Sequence, residues 1–537
     1  MHPLSRREAL ARLAALVATA VPHRRAWQSI VSRRLASDPL DGTIVEYLAG
    51  LRIGSWSVAE VTGNALDRCQ TDGAKWRAID VLISTQALSD ARDSDYRHQR
   101  AHRFSALDGV PVFAKAIYDL KGTPTTGSNA DWARLFPDPV PRDALEVERL
   151  RHSGAIVLGK TAADDFAYRG NGTSTYTGQV LNPHDPTGTR TPGGSSAGSA
   201  VAVAGGLAFG ALGTDDGGSN RIPAQFTGVV GIKPTFGLVP RTGVIPTWPY
   251  LDTHGALART VADAATLLAI TAGPDGSDPL ALGERWDRNR LLGLHDDALH
   301  GVRLGIVDAH VPRAQMTAEA VAMWDRAVGD LRAAGAEVDS FDAAITTLNY
   351  RAAFTQAARD RNDVKPDSRS PAPTANALYR YFDRRMHDAH DGVRRGYDAY
   401  RSYYDVLPTT FEECVPLLEQ PMEKDPAGQS FAKSRAAVIA QLAASMQKAG
   451  VTAMVYPTMP FNAPRIVDQW PDIRVALGYG NWLGLPEVSV PAGMGADGMP
   501  AMNLSVVGLP GDDAKVLAYG HAYERQSRRF MGVRRGG

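Results

Sequence analysis

The sequence predicts an α/β fold in which helices cover a β-sheet, and two observations support this. From about residue 107 onward, short apolar runs alternate with stretches in which apolar residues have helical spacing. Such alternation is typical of α/β layering, because each strand and each helix must bury its apolar surface against the other. The composition also fits a globular protein: of 537 residues, 44% are hydrophobic and 22% are charged.

Strands are predicted from short apolar runs, and helices from apolar spacing and end signals. The predicted strands are residues 110–113, 155–158, 207–212, 302–307 and 452–456. The first predicted helices are residues 43–52 and 58–68. Thr260 followed by Asp263 is a capping-box start for another helix. A further helix is predicted from Thr317 to residue 334, and Gly335 is its stop signal.

The first 36 residues have a targeting composition, and folded sequence is expected to begin near Asp38. Ser5-Arg6-Arg7 resembles a twin-arginine export motif, and a short apolar stretch follows at residues 13–20. We therefore predict that residues 1–36 are an export segment and that the protein is periplasmic. The alternative is a basic amphipathic helix on a cytoplasmic protein. No run approaches the roughly 18 apolar residues of a membrane helix.

Charge and cysteine content exclude several other classes of function. Because 58 basic side chains balance 58 acidic ones, neither nucleic acid nor a membrane surface is expected as a partner. Cys69 and Cys414 lie far apart and outside any Cys/His cluster. The sequence therefore predicts neither a disulfide framework nor a metal site.

One nucleotide-binding motif matches by pattern alone. Residues 154–161, GAIVLGKT, satisfy the Walker A pattern. A phosphate-binding loop needs its strand before the first glycine, whereas here residues 155–158, between the glycines, are the best strand candidate. We interpret the match as accidental.

A second motif would make Ser196 a nucleophile. Gly194-Ser195-Ser196-Ala197-Gly198 fits the G-x-S-x-G pattern of α/β-hydrolases, which include esterases. A nucleophile elbow follows a buried strand, but residues 182–194 hold three prolines and no apolar run. The Ser196 esterase is therefore kept only as an alternative.

Two glycine loops that carry serines point to chemistry at a serine hydroxyl. The first, residues 193–196, precedes a run of very small residues, and the second, residues 215–219, follows a predicted strand. Glycines before a serine leave backbone N–H groups that can face an oxyanion. The residues alone leave two interpretations open: hydrolytic or transfer chemistry, or two tight turns joined by a packed helix.

The segment from residue 182 to 235 resembles the signature region of the amidase signature family. It contains PGGSSAGS at residues 192–199, GTDDGGSNRIP at 213–223 and GIKPT at 231–235. Residues 107–115, LDGVPVFAK, are similar to the family's segment with its catalytic lysine, and residues 485–493 to its tail. The resemblance covers about residues 40–525, and more weakly residues 350–435.

The resemblance implies a Ser-Ser-Lys triad. It assigns Lys115 as the base, Ser195 as a bridging serine on a cis peptide bond, and Ser219 as the nucleophile that forms an acyl-enzyme. Backbone N–H groups of residues Asp216, Gly217, Gly218 and Ser219 would form the oxyanion hole. Asp215 and Arg221 would support this loop as an ion pair. A buried lysine can serve as the base because burial lowers its pKa.

The same resemblance implies a fold and a function. Residues 37–537 would form one domain, with a central mixed β-sheet covered by helices on both faces, a helical cap and no cofactor. The function implied is amidohydrolase activity on a small-molecule or peptide amide. The alternatives within the scaffold are a glutamine-dependent amidotransferase A-subunit, which acts in a cytosolic complex, and an inactive binding protein.

Four residues depart from the family pattern. Ala116 replaces a usual Asp, Ala162 a usual Asn, Asp216 a usual Thr and Asn220 a usual Ile. None of these removes a triad member. Asp216 could place a negative charge beside a developing oxyanion, which should slow the reaction unless its side chain is paired or points away.

The cap is predicted at about residues 350–435, where the alternation is lost and tyrosines and charges dominate. Tyrosines offer rigid apolar faces with a polar edge, as substrate-site walls require. We therefore predict six substrate-binding residues: Tyr379, Tyr381, Tyr397, Tyr400, Tyr403 and Tyr404. The alternative is a surface helix pair with solvated charges.

Overall fold

The structure, a computed structural model, describes residues 37–283, 288–346, 349–468 and 474–529. The predicted export segment, residues 1–36, lies outside these ranges. The strands are β1 (Ile79–Leu82), β2 (Pro111–Lys115), β3 (Ile156–Thr161), β4 (Thr173–Ser174), β5 (Gly178–Gln179), β6 (Gly210–Thr214), β7 (Val230–Lys233), β8 (His254–Ala258), β9 (Arg303–Ile306), β10 (Glu337–Ser340), β11 (Ala453–Pro457), β12 (Glu487–Met494) and β13 (Pro500–Val507).

The α-helices are α1 (Ile44–Ile53), α2 (Val58–Arg68), α3 (Ser84–Gln99), α4 (Ala130–Leu135), α5 (Leu145–His152), α6 (Ala197–Ala204), α7 (Arg221–Thr227), α8 (Val261–Thr271), α9 (Ala318–Ala333), α10 (Tyr350–Asp360), α11 (Pro371–Asp383), α12 (Ala389–Arg401), α13 (Phe411–Leu418), α14 (Pro426–Ala449), α15 (Arg474–Leu483) and α16 (Asp513–Ser527). Among the residues described, no helix has the length and apolar character needed to span a membrane.

Within the described ranges, eleven strands form one sheet in the order β1-β3-β2-β6-β8-β7-β12-β13-β11-β9-β10. The runs β3-β2-β6 and β11-β9-β10 are parallel, and the other neighbours are antiparallel. The prediction of a mixed central sheet is therefore confirmed.

Helices cover both faces of this sheet. Every residue of β2, β3, β6, β7, β8, β11 and β13 is buried, so neither face of the central strands meets solvent. Helix α6 packs against β2, β3 and β6, while α8 packs against β7 and β8 and α9 against β12 and β13. The predicted α/β layering is confirmed.

Local sequence signals locate many of these elements correctly. The five predicted strands overlap β2, β3, β6, β9 and β11, and the predicted helices overlap α1, α2, α8 and α9. The Thr260 hydroxyl accepts the N–H of Asp263 at 3.1 Å, as a cap should. The Walker-like stretch forms β3, and its Lys160 is fully buried and donates to the carbonyl oxygen of Pro124. This stretch is not a phosphate-binding loop.

The insertion is helical, as predicted. It comprises α10 to α13 and the first turns of α14. Helix α11 packs against α12 and α13, and α10 packs against α14. Helix α12 also contacts α4, where Gly396 lies so close to Trp132 that an added Cβ would be 2.6 Å from its ring. The insertion therefore lies directly on the α/β part of the molecule.

Candidate active site

The residues of the predicted triad meet where two parallel strands end. Lys115 is the last residue of β2, and Thr214 is the last residue of its parallel neighbour β6. The loop with Ser195 precedes α6, and the loop with Ser219 connects β6 to α7. Carboxyl ends of adjacent parallel strands are the usual place for a ligand site in an α/β sheet.

The Lys115 amino group lies between two hydroxyl groups. Its Nζ is 2.7 Å from Ser195 Oγ and 2.8 Å from Thr214 Oγ1. Lys115 is fully buried and forms no ion pair with any residue in the described ranges. Burial lowers the pKa of Lys115 to about 8, although nearby carboxyl groups oppose the shift when they are ionised, among them Asp216 and Asp164. A neutral amine, which can accept a proton, is therefore accessible near neutral pH.

Ser195 lies in a tightly enclosed loop. The peptide bond between Gly194 and Ser195 is cis. Position 194 requires glycine, because an added Cβ would lie 2.5 Å from Asp164 Oδ1. The backbone N–H of Asp164 donates to the Ser195 carbonyl oxygen at 3.2 Å, and the N–H of Ser196 donates to the Ser219 carbonyl oxygen at 3.1 Å. The second of these bonds joins the two serine loops.

Ser196 and Ser219, which lie where the two serine loops meet, differ in the hydrogen bonds of their hydroxyl groups. Ser196 is fully buried, and its Oγ both accepts the Thr214 N–H and donates to the Thr214 carbonyl oxygen at 3.3 Å. Ser219 is 6% exposed, and no described residue is hydrogen bonded to its hydroxyl group. No strand leads into the Ser196 turn in the described structure, so the geometry does not favour the Ser196 esterase.

Asp215 and Arg221 form the ion pair that the sequence predicts. Arg221 Nε and Nη2 lie 2.9 and 2.8 Å from the two carboxylate oxygens of Asp215, and both side chains are fully buried. Arg221 Nη1 also lies 2.5 Å from Glu487 Oε2, and Asn481 Nδ2 donates to Asp215 Oδ1 at 2.9 Å. Although burial alone would raise it, Arg221 holds the pKa of Asp215 well below its usual range. This network fixes the loop that carries Ser219.

The network corrects one part of the predicted oxyanion hole. The N–H of Gly218 donates to Asp215 Oδ1 at 2.7 Å, so it is already occupied by the carboxylate. The N–H groups of Asp216, Gly217 and Ser219 donate to no acceptor among the described residues. These three groups remain as the predicted donors.

Asp216 is turned into the protein and held by Thr247. Its Oδ1 accepts the Thr247 hydroxyl at 2.7 Å, and its Oδ2 is buried without a hydrogen-bond partner in the described structure. Burial and the neighbouring Asp252 raise the pKa of Asp216 well above its usual value. The raised pKa favours the protonated form of Asp216, in which it places no negative charge beside the loop.

A charged network lies behind Asp216. The N–H of Thr247 donates to Asp252 Oδ2 at 3.4 Å, and His254 pairs with both Asp252 and Glu146, at 3.3 and 2.6 Å. Burial alone would lower the pKa of His254, but these two carboxyl groups raise it to about 10. His254 is therefore a buried cation that compensates the charge of Asp252.

The structure corrects the predicted substrate wall at three positions. Tyr397, Tyr400 and Tyr404 are buried, and their hydroxyl groups donate to the carbonyl oxygens of Pro408, Pro246 and Phe166, respectively. Their phenol rings serve packing, because a helical insertion that lies on the core must bury one face.

The other three tyrosines occupy different environments. Tyr381 donates to Asp119 Oδ1 at 3.1 Å and borders a cavity. Tyr379 packs on His390 at the outer side, and Tyr403 packs edge-on against Phe166.

Sequence reasoning missed several residues of this site. Thr214 had a local signal, since it lies directly before Asp215 in the signature segment. Asp164 had only a weak local signal, since it lies two residues after Ala162, which departs from the family pattern. Thr247, Asp252 and Asn481 had no signal, because only the folded chain brings them to the loop.

Comparison with known proteins identifies the family. Residues 60–517 match the family model described as Amidase. The A-subunit of the glutamyl-tRNA(Gln) amidotransferase from Myxococcus xanthus is 33% identical over 509 residues, which cover 90% of this chain and 97% of that protein. The solved structure of the native peptide amidase from Stenotrophomonas maltophilia matches with a TM-score of 0.72 and 28% identity, over 91% of this chain and 98% of that one. The structure of PAM12A matches with a TM-score of 0.75 and 28% identity, over 92% and 99%. The chain belongs to the amidase family of amidase signature enzymes.

Proposed function

We propose that this protein cleaves the C–N bond of a carboxamide through an acyl-enzyme on Ser219. The observation that carries the proposal is the 2.7 Å contact between the buried Lys115 amine and the Ser195 hydroxyl, next to the loop that presents Ser219. A serine hydroxyl is a poor nucleophile and needs a base within reach, and a lysine serves only when it is neutral. The lowered pKa of Lys115 supports this role.

The proposed reaction begins with two proton transfers. Ser219 passes its proton to Ser195 as Ser195 passes its own to Lys115, and Ser219 Oγ attacks the carbonyl carbon. The N–H groups of Asp216, Gly217 and Ser219 receive the oxyanion. Lys115 and Ser195 then return a proton to the leaving nitrogen as the C–N bond breaks. Water, deprotonated along the same route, attacks the ester and releases the acid and Ser219.

Two roles use this chemistry. The first is an amidase that acts alone, and the match to the structure of a peptide amidase supports an amidase role. The second is an amidotransferase A-subunit, because the same attack on the carbonyl carbon of an amide such as glutamine would release its nitrogen for transfer. The curated relatives favour the second role, because the Myxococcus xanthus protein named for it is 33% identical over nearly its full length.

A covalent probe tests the nucleophile. After treatment with a fluorophosphonate, intact-mass spectrometry and peptide mapping should locate one adduct on Ser219. Ser219→Ala should abolish labelling, while the matched control Ser196→Ala should keep it if the protein folds. Labelling at Ser196 would refute the Ser219 acyl-enzyme and favour the esterase.

A turnover assay separates the two roles. The purified full chain is assayed alone on peptide, aryl and fatty amides, carbamates, cyclic oligoamides and glutamine, and the released amine or ammonia is measured. Turnover of one of these by the chain alone favours the amidase. Turnover of glutamine only after addition of proteins that co-purify with the chain favours the amidotransferase role.

A further inference from the structure

A cavity lies between one part of the insertion and the α/β part of the molecule. Its volume is about 630 Å³, and it lies between α11 with Met422 on one side and the loop at residues 241–252 on the other. This volume falls within the roughly 300–1,000 Å³ of small-molecule sites. The cavity borders Asp252, which reaches the signature loop through Thr247 and Asp216.

Arginines dominate the charge of the cavity wall. The charged residues that border it are Arg142, Arg241, Arg380, Arg384, Asp252, Asp278 and Asp383. Two of the carboxylates are already paired. Arg241 holds Asp278 with two contacts of 2.6 Å, and Asp252 pairs with His254. The third, Asp383, is exposed to solvent.

Three of the arginines have no carboxylate partner in the part of the chain that the structure describes. Arg384 Nη2 donates to the carbonyl oxygen of Asp143 at 2.6 Å, and its Nη1 is buried without a partner. Arg380 is half-buried and makes no hydrogen bond or ion pair with a described residue. Arg142 is exposed at the cavity edge. The wall therefore carries unbalanced positive charge.

A half-buried guanidinium that forms no ion pair is unfavourable for the protein alone. Burial and the neighbouring Arg241 lower the pKa of Arg380 below its usual value, although the carboxylates of Asp278, Asp275 and Glu423 partly oppose the shift and arginine remains charged at physiological pH. A guanidinium presents a planar fork of N–H donors that matches the two oxygens of a carboxylate or phosphate. A bound anion would satisfy these donors and balance the charge.

We propose that this cavity binds a small organic anion with a carboxylate or phosphate group, and that Arg380 is its main contact. The site is separate from the serines, and the proposal does not depend on the reaction assigned to Ser219. It gives the helical insertion a binding role that Tyr397, Tyr400 and Tyr404 do not provide. The ligand enters between α11 and the loop at residues 241–252.

Direct binding measurements test the proposal on the full chain. Isothermal titration calorimetry at low ionic strength uses succinate and inorganic phosphate as probes, with uncharged succinamide as the control. We expect saturable binding of at least one anion and none of succinamide. Succinate binding alone identifies a carboxylate site, and phosphate binding alone identifies a phosphate site. The absence of saturable binding by both anions would overturn the proposal.

Variants assign the binding to Arg380. Arg380→Gln should weaken anion binding by roughly ten-fold or more, as expected for loss of a charge-assisted pair. Arg380→Lys, which keeps the charge but loses the fork, should weaken it less. The matched control is Arg326→Gln, which changes an exposed arginine on α9 and should leave binding unchanged.

A stability measurement shows that the variant is folded. Without anion, the melting temperature of Arg380→Gln should be no lower than that of the wild type, because an unpaired charge has been removed. Equal anion affinity in Arg380→Gln and wild type would refute the assignment.

Discussion

At the scale of single residues, the proposed chemistry depends on where two protons are held. Lys115 must lose its proton to act as a base, whereas Asp216 must keep its proton to leave the loop uncharged. One burial effect serves both, because a low dielectric disfavours the charged form of an amine and of a carboxyl group alike. The hydroxyl groups of Ser195 and Thr214 are hydrogen bonded to the Lys115 amine, and that of Thr247 is hydrogen bonded to Asp216. These neutral partners suit a neutral amine and a neutral carboxyl group.

The first prediction concerns the pH dependence set by Lys115. In the proposed mechanism the active form of Lys115 is the neutral amine, and burial lowers the pKa of Lys115 to about 8. The value of kcat/KM should therefore fall as pH drops below about 8 and level off above it. Lys115→Ala should lose about 10²- to 10⁴-fold at neutral pH and regain part of this at higher pH, where hydroxide replaces the base.

Lys160 provides a matched control, since it is also fully buried and its pKa is lowered by burial to about 8. Lys160→Met should leave the pH profile where it is, provided that the variant folds. Steady-state kinetics between pH 6 and 10 measure both variants. Near wild-type turnover in Lys115→Ala would show that Lys115 is not the base.

The second prediction concerns the proton on Asp216. Asparagine copies the shape and neutrality of a protonated aspartic acid, so Asp216→Asn should keep kcat/KM within about three-fold and leave the pH profile in place. An ionised Asp216 would raise the pKa of Lys115, so its removal would shift the profile to lower pH. Such a shift in Asp216→Asn would contradict the prediction.

Asp164 serves as the contrast for this experiment. Burial raises its pKa to about 7, so it is ionised where Lys115 titrates. Asp164→Asn should therefore lower the pKa of Lys115 and shift the profile to lower pH. Comparison of the two asparagine variants isolates the charge at position 216.

The sequence locates the three residues of the proposed triad but not the polar contacts around them. Lys115, Ser195 and Ser219 lie in recognisable motifs, and the structure brings them to one strand edge. The occupied N–H of Gly218 and the partners of Asp216 depend on contacts between loops. Asp215 and Gly218 are close in sequence, yet only the turn geometry directs the N–H of Gly218 to the carboxylate.

At the scale of elements, the insertion illustrates why composition alone misassigns a role. Its composition predicts tyrosines that face substrate, but three of them hold the helices to the core through buried hydroxyl groups. A helix that packs on a folded core needs large side chains with a satisfied polar tip, and tyrosine meets this need as well as it meets that of a binding site. Burial decides between the two roles, and burial depends on the tertiary arrangement.

The third prediction tests the structural role of these rings. Tyr400→Phe removes a buried hydroxyl that donates to the Pro246 carbonyl oxygen at 2.9 Å, so it should lower the free energy of unfolding by about 1–3 kcal/mol. It should change kcat/KM equally for a small and a large amide. Tyr176→Phe, at a ring that is 46% exposed, is the matched control and should change neither quantity. A change in the substrate ratio of about 10- to 200-fold in Tyr400→Phe would restore the substrate-wall interpretation.

Prediction of strands from apolar runs in the sequence also has a physical limit. The eight-residue strands β12 and β13 are not predicted from the sequence, because Pro491 and Gly493 interrupt the apolar run of β12 and Asn503 and Ser505 interrupt that of β13. The register of β12 against β13 shifts at Pro491 and again at Gly493, so the strand accommodates its breakers in an irregular stretch. Local propensity cannot foresee that tertiary packing will tolerate them.

At the scale of the whole molecule, the sheet order explains how distant segments build one site. Strand β12 lies next to β7 and β13, which brings Glu487 within 2.5 Å of Arg221 across 266 residues of chain. The sequence predicts the layers of the fold, because layers follow from the pattern of apolar residues. Strand order follows from the packing of all segments together and leaves no local pattern to read.

The last prediction concerns residues 1–36 and decides between the two roles proposed for the chain. The arginine excess of this segment and its twin-arginine motif are typical of an export address. We expect fractionation of the native organism to find the protein outside the cytoplasm. The variant that combines Arg6→Lys with Arg7→Lys should instead stay in the cytoplasm. The matched control is Arg24→Lys combined with Arg25→Lys, which lies beyond the twin-arginine motif and should leave export unchanged. The amidotransferase role belongs to a cytosolic complex, so an exported protein would have to work as an amidase without that complex. Retention of the unaltered protein in the cytoplasm would contradict the export prediction and favour the amidotransferase role that the curated relatives carry in their name.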